Sequence, residues 1–233
     1  MTRRFFDSYS KSVAIVSMAA ILLLSGCGDD AAKATNSPSG MSEHEVVGDH
    51  AIGNPDADVT VVEYASVVCP ACANWHTSVY PDLKKKYIDS GKIRFIFREF
   101  PTQPENLARA GFLIANCADE TKFMENISLQ FQRQPVILRS DNIREEYINI
   151  AKAAGLSEDD FEACIANEEE NAKYEAVVQG GIDAGVTSTP SFFINGEKRK
   201  AFKMEDFDEI ILPLLGESVP EADAETASEA TEK

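Results

Sequence analysis

Cys69 and Cys72 stand at the end of an apolar run, with only Pro70 and Ala71 between them. Thiols at this spacing can close a disulfide on each other and reopen it on a passing thiol. The chemistry suggested is thiol–disulfide exchange. A helix starting at the pair would stabilise a Cys69 thiolate through its N-terminal N–H groups and dipole, which makes Cys69 the expected nucleophile. Cys72 lies one turn further in and is expected to be buried and protonated until it attacks a mixed disulfide. A permanent bridge between the two would close almost no loop and stabilise little. Glu63 is out of place, mid-strand on the same face as Val59, Val61 and Ala65. It either reaches solvent or a lysine, or it belongs with the cysteines.

The elements that must hold these residues follow from periodicity. Val59 to Val68 is rich in β-branched residues and reads as a buried strand, after a turn signal at Gly53-Asn54-Pro55. Trp75, Val79, Leu83 and Tyr87 recur every fourth residue, a helix that Pro81 should kink and Gly91 should end. Ile93 to Phe100 is a second strand, stopped by Pro101. Four helical patterns come next without a strand between them. The first carries Leu107, Ala110, Gly111, Ile114 and Cys117. The second runs from near Thr121 to before Pro135, and the third from near Ser140 to Gly155. The fourth opens on Ser157-Glu158-Asp159-Asp160, a capping-box-like start, and carries Phe161, Cys164 and Ile165. A further helix bears Tyr174, Val177, Val178 and Ile182. Thr189-Pro190 then leads into a strand Ser191 to Ile194, an Asn195-Gly196 hairpin and a strand through Phe202. A last helix carries Phe207, Ile210, Ile211 and Leu214 and is disturbed by Pro213.

Strand, helix, strand, a block of helices, then helix, two strands and helix: this layout resembles the DsbA-like thiol–disulfide oxidoreductases. The fold class implied is α/β, a thioredoxin-like fold with an inserted α-helical subdomain. The resemblance rests on Glu63-Tyr64 ahead of Cys69-Pro70-Ala71-Cys72, on the strand ending Arg98-Glu99-Phe100-Pro101, and on the run Gly185 to Gly196 with its T-P-S-F-F-I-N-G. It implies a domain over residues 47–215, with the insertion at about residues 104–168. It implies that Pro190 is the family's cis-proline packed against the pair, exposing the backbone of Thr189 to an extended substrate segment. The alternative is an ordinary trans-proline entering a strand. Glu63, buried behind the cysteines, would relay the proton of Cys72. The implied activity is transfer of the Cys69–Cys72 disulfide to reduced or unfolded secreted proteins through a mixed disulfide on Cys69. No other cofactor is required. The reduced pair would be reoxidised by a membrane partner of the DsbB or vitamin-K-epoxide-reductase-like (VKOR-like) kind.

The first segment is read as an export signal. Arg3, Arg4 and Lys11 form a basic n-region, and Val13 to Leu24 is apolar but short for a membrane span. Leu24-Ser25-Gly26-Cys27 resembles a bacterial lipobox, which makes Cys27 the acylated N-terminus of a protein anchored to a bacterial membrane and facing the periplasm. Cleavage after Ala32-Lys33-Ala34 is the competing reading, and Arg3-Arg4-Phe5-Phe6 looks in part like a twin-arginine signal. Residues 28–46 read as a flexible tether and residues 216–233 as a disordered acidic tail. The formal charge is −17. Without the leader it is −19, from 19 basic against 38 acidic residues. Such a surface repels phosphate backbones, so nucleic acid is not an expected partner, and membrane contact must come from the lipid.

With Cys27 acylated and Cys69 and Cys72 active, Cys117 and Cys164 are left among the five cysteines. Both lie on apolar helix faces, where they form a structural disulfide or remain two buried thiols. His44 and His50 read as solvated loop residues and His76 as a partly exposed helix residue, so a closed zinc site lacks ligands. Copper(I) on the reduced pair is a minor alternative. The rival functions are a reductase or isomerase of the same fold, and a surface lipoprotein that binds a metal or a partner.

Overall fold

The computed structural model describes residues 44–220. The expected signal peptide with Cys27, the tether as far as residue 43 and the tail from residue 221 lie outside the described residues. Among them, five strands form one sheet: β1 (His50–Gly53), β2 (Val59–Ala65), β3 (Ile93–Glu99), β4 (Ser191–Ile194) and β5 (Glu197–Arg199). Their order is β1-β3-β2-β4-β5, with β2 parallel to β3 and the other pairs antiparallel. Eight α-helices accompany them: α1 (Pro70–Ser78), α2 (Tyr80–Leu83), α3 (Glu105–Cys117), α4 (Phe123–Ile137), α5 (Ile143–Ala153), α6 (Glu158–Ile165), α7 (Glu168–Asp183) and α8 (Met204–Leu214). The thioredoxin-like fold with its helical insertion, α3 to α6, is therefore present.

Every residue of β2 is buried, because both faces of the central strand are covered. Val59, Val61 and Ala65 pack with Trp75 and Tyr80 of α1 and α2 and with Phe207 and Ile211 of α8. Val62 and Tyr64 face the other way, with Ile96 and Val186. There α7 presses on the sheet at Gly181, where a Cβ would stand 2.7 Å from the Phe100 ring. The insertion keeps a core of its own around Ile114, Tyr147, Ile148, Ile150 and Phe161. Its last helix starts at the capping box: Asp160 N–H donates to Ser157 Oγ (3.1 Å) and Ser157 N–H to Asp160 Oδ2 (2.9 Å).

Several expectations need correction. The stretch before β2 holds a strand as well as a turn: β1 is only four residues long and carries no alternation, yet it completes the free edge of β3. His50 is thus not a solvated loop residue. Its ring stacks on Phe123 at 3.5 Å, and its Nε2 meets Asn116 Oδ1 at 3.0 Å. The last strand stops at Arg199, short of Phe202, because Phe202 and Lys203 turn their N–H groups to Asp206 Oδ2 at the start of α8 (2.8 and 2.9 Å). The helix after Cys72 breaks at Val79, two residues ahead of Pro81, which then sits in the first turn of α2. A π turn, Lys84–Ile88, follows. The second inserted helix runs through Pro135 to Ile137, since a proline in the last turn forfeits only one internal bond. His44 and Glu45, read as tether, touch β3: Arg98 Nη2 donates to the His44 carbonyl (3.0 Å), and Arg94 pairs with Glu45 (2.9 Å).

Candidate active site

Cys69 is the N-cap of α1, held in an extended conformation (φ −82°, ψ 120°), with Pro70 opening the helix. The backbone of a proline cannot donate, so the N–H groups of Ala71 and Cys72 are the ones that turn towards the Cys69 sulfur. Cys69 and Cys72 both carry free thiols, so this is the dithiol form of the pair. Cys69 keeps 9% of its surface and Cys72 none, which leaves Cys69 as the sulfur that another molecule can reach. The Cys72 thiol donates to Cys69 and, with the helix-start N–H groups, holds Cys69 well below the ordinary thiol range, at about 5, against the opposing effect of partial burial. Cys72 is pushed strongly upward, first by burial, then by its bond to Cys69 and by the negative charge of Glu63.

Thr189 faces the pair across the site. Its carbonyl oxygen lies 3.5 Å from Cys69 Sγ, within hydrogen-bond reach of the thiol form. The Thr189–Pro190 peptide is cis, and so is Gln103–Pro104 at the entrance to the insertion, a site not singled out from the sequence. Cys117 and Cys164 are joined by a disulfide, S–S 1.99 Å, that ties α3 to α6.

Glu63 lies at the middle of β2, opposite Phe97 of β3 and Phe192 of β4. It is fully buried, and it reaches neither solvent nor a lysine. Its Oε2 meets His76 Nε2 at 2.8 Å. This corrects the reading of His76 as partly exposed: the side chain is buried. His76 is one turn beyond Cys72 on the inward face of α1, and Phe131 of the insertion stacks on its ring at 4.2 Å. A charged residue in mid-strand needs a partner, and the polar residue four positions after Cys72 was the signal for it.

Gln134 is a second residue that sequence reasoning passed over. From the buried side of α4 its Nε2 donates to the carbonyls of Val67 (2.8 Å) and Cys69 (3.0 Å). It thereby ties the loop that presents Cys69 to the insertion. Asn126, Gln130 and Gln134 recur every fourth residue on one buried face, and Gln130 in turn donates to the Gly111 carbonyl (2.8 Å) and to Asn126 (2.7 Å). An amide stripe at helical spacing on an otherwise apolar face marks such a network.

Among the described residues no group of three His, Cys, Asp or Glu is placed to hold a metal ion, and no helix is long and apolar enough to cross a membrane. A pocket of about 760 Å³ opens on the α7 side of the sheet, lined by His50, Tyr64, Arg98, Glu99 and Tyr174 among others. None of Cys69, Cys72 and Thr189 lines it, so it is not where the sulfur chemistry would occur.

Comparison with known proteins agrees with this geometry. A family model described as thioredoxin matches residues 45–212. A Rickettsia prowazekii protein described as a protein-disulfide oxidoreductase is 31% identical over 165 residues, 70% of this chain and 60% of that protein. The chain thus spans about three fifths of the length of the curated relatives it matches. The crystal structure of Wolbachia pipientis alpha-DsbA1 superposes with a TM-score of 0.67 at 26% identity, over 74% of this chain and 93% of that one. BdbD from Bacillus subtilis shares the fold, with a TM-score of 0.66 at 21% identity over 72% of this chain and 93% of its own.

Proposed function

The chain belongs to the thioredoxin family, in its DsbA-like form with a helical insertion, and we propose that it is a thiol–disulfide oxidoreductase that donates the Cys69–Cys72 disulfide to secreted proteins. The observation that carries this reading is the asymmetry of the pair. Cys69 is reachable and held at about 5, whereas Cys72 is sealed and pushed upward. A substrate thiolate attacks Cys69 Sγ, the Cys69–Cys72 bond breaks, and the electron pair goes to Cys72 Sγ. Cys72 then takes up a proton, for which buried Glu63 is the proposed source. A second substrate thiolate attacks the substrate sulfur of the mixed disulfide and expels Cys69 as a thiolate. A thiolate stabilised this far is a good leaving group, which favours release of oxidised substrate. Thr189 and Pro190 border the attacked sulfur, and a substrate strand laid along the Thr189 backbone would present its cysteine there.

Each turnover leaves the pair as a dithiol. A membrane reoxidase of the DsbB or VKOR-like kind is the proposed electron acceptor, and acylated Cys27 the proposed anchor that keeps the domain beside it, on the periplasmic side. The basic n-region, the apolar run and the Leu-Ser-Gly-Cys sequence support that anchoring. The test pairs two assays on the purified protein: catalysed insulin reduction, and recovery of activity from reduced ribonuclease and from scrambled ribonuclease. Faster oxidation of the reduced enzyme is expected of a donor. Recovery from the scrambled form alone would make it an isomerase, and no turnover in any assay would end the enzyme reading.

A further inference from the structure

His76 has no part in the exchange just described, yet it is the side chain that touches Glu63. The pair is sealed among aromatic rings: Phe131 stacks on the imidazole at 4.2 Å, Tyr80 lies at 4.8 Å, Trp75 at 5.0 Å and Phe97 at 6.0 Å. Two atoms of the pair have no hydrogen-bond partner among the described residues, Glu63 Oε1 and His76 Nδ1. Buried polar atoms without partners are uncommon, and each needs a reason. With no acceptor facing Nδ1, the ring proton belongs on Nε2, where it donates to Oε2 across 2.8 Å. That bond uses one oxygen and fixes the carboxyl plane. The other oxygen is left open, on a carboxylate whose negative charge acts on Cys72 without a hydrogen bond between them.

We infer that His76 is a positioning residue for disulfide exchange: by holding Glu63 Oε2 it dedicates Oε1 to carrying the proton that passes to and from Cys72. When the Cys69–Cys72 bond breaks, the proton on Oε1 moves to Cys72 Sγ, leaving a carboxylate that His76 Nε2–H continues to stabilise. When the bond re-forms, Cys72 returns that proton to Oε1 as its thiolate attacks Cys69 Sγ, and the thiolate bound there departs. The imidazole proton stays on Nε2 throughout, so the step balances with one mobile proton. The stacked Phe131 makes the insertion part of this arrangement, since α4 keeps the ring from swinging away from the strand.

The inference rests on the oxidoreductase reading and is tested separately from it. The oxidised protein is mixed with a reduced cysteine peptide, and the rate of mixed-disulfide formation is read by rapid acid quench and mass. Glu63→Gln is expected to slow the step by about a hundredfold, the scale of a lost general acid. His76→Leu, which keeps bulk without a donor, should slow it by about tenfold or more, the worth of one hydrogen bond to a charged group. The double variant should be no slower than Glu63→Gln alone. His76→Gln places an amide N–H near the position of Nε2 and should stay within a few-fold of the wild type, whereas the shorter His76→Asn should fall with His76→Leu. A second readout needs no turnover: the oxidised-minus-reduced infrared spectrum should contain one protonated-carboxyl band, absent in Glu63→Gln and displaced in His76→Asn. Equal rates for the Gln and Asn variants, or slowing by His76→Leu that multiplies with that of Glu63→Gln, would overturn the assignment. Failure of the wild type to exchange with any thiol would instead overturn the activity, and the infrared band would still report on the pair.

Discussion

Acidifying the reduced protein should discharge Cys69 with a midpoint near 5 and weaken the dithiol form at the same time. The folded thiol sits at about 5 against 9.0 for a free one. Because the folded value lies below the unfolded value, the contribution is complete above pH 9 and is lost as the pH falls through 5. At pH 7 two of the four units are expressed, and at about 1.36 kcal/mol per unit that is about 3 kcal/mol in favour of the reduced fold. As a potential, this makes the couple roughly 60 mV more oxidising than the same site with an ordinary thiol. Cys72 keeps its proton through this range and draws it from Glu63, so reduction takes up no net proton above the Cys69 midpoint and one below it. The potential should therefore be almost independent of pH above the Cys69 midpoint and fall by about 30 mV per pH unit below it. Thiolate absorbance of the reduced protein against pH gives the midpoint, with Cys69→Ala as the blank. Equilibration with glutathione buffers at several pH values gives the slope, and urea unfolding of both redox forms gives the stability difference. A midpoint near 9 would refute the reasoning about the helix start and the Cys72 bond, and a midpoint near 5 with a slope of about 30 mV through neutral pH would refute Glu63 as the source of the Cys72 proton.

Three further outcomes follow from the packing. Replacing Cys117 and Cys164 by alanine removes a bridge across 47 residues, which the chain-entropy model values at about 4 kcal/mol. Urea unfolding should show that loss while Cys69 keeps its titration, and a change below about 1 kcal/mol would mean that the packed helices hold the insertion without it. Gln134→Leu leaves the Val67 and Cys69 carbonyls without their side-chain donor and should cost about 1–3 kcal/mol, measured in the same way. Gly111→Ala would place a Cβ against Gln130 Oε1 and 2.8 Å from Val67 Cγ2, and overpacking there should cost about 1–3 kcal/mol in thermal or urea unfolding.

The order of elements was legible because the signals were local. A β-branched run before two cysteines, glycines after helical patterns and a capping box at Ser157 each declare an element without reference to its neighbours. What was missed depended on distant partners. β1 is a strand only because β3 offers an edge, so nothing in His50 to Gly53 alone announces it. His76 looked like a helix surface residue because its burial is set by Phe131, 55 positions away. Gln134 is tied to a loop 65 residues earlier in the chain. The position of Cys69 and Cys72 at a helix start could be read from spacing, whereas the groups that hold them in place could not, since those contacts exist only once the insertion has closed on the sheet.

The separations between cysteines also bear on how the domain matures. Cys117 lies 47 residues from its partner Cys164 and 45 from Cys72, which emerges first. Loop-closure entropy scarcely distinguishes two loops of nearly equal length, so chain statistics alone would let Cys117 pair with either. The short Cys69–Cys72 spacing removes that ambiguity: a pair so close joins to itself before a loop of some forty residues can form. An oxidised Cys-Pro-Ala-Cys thus withdraws both reactive sulfurs while the insertion is still unfolded and leaves Cys117 with one partner to find. The same four residues that are proposed to pass a disulfide to other proteins would keep this one from mispairing its own.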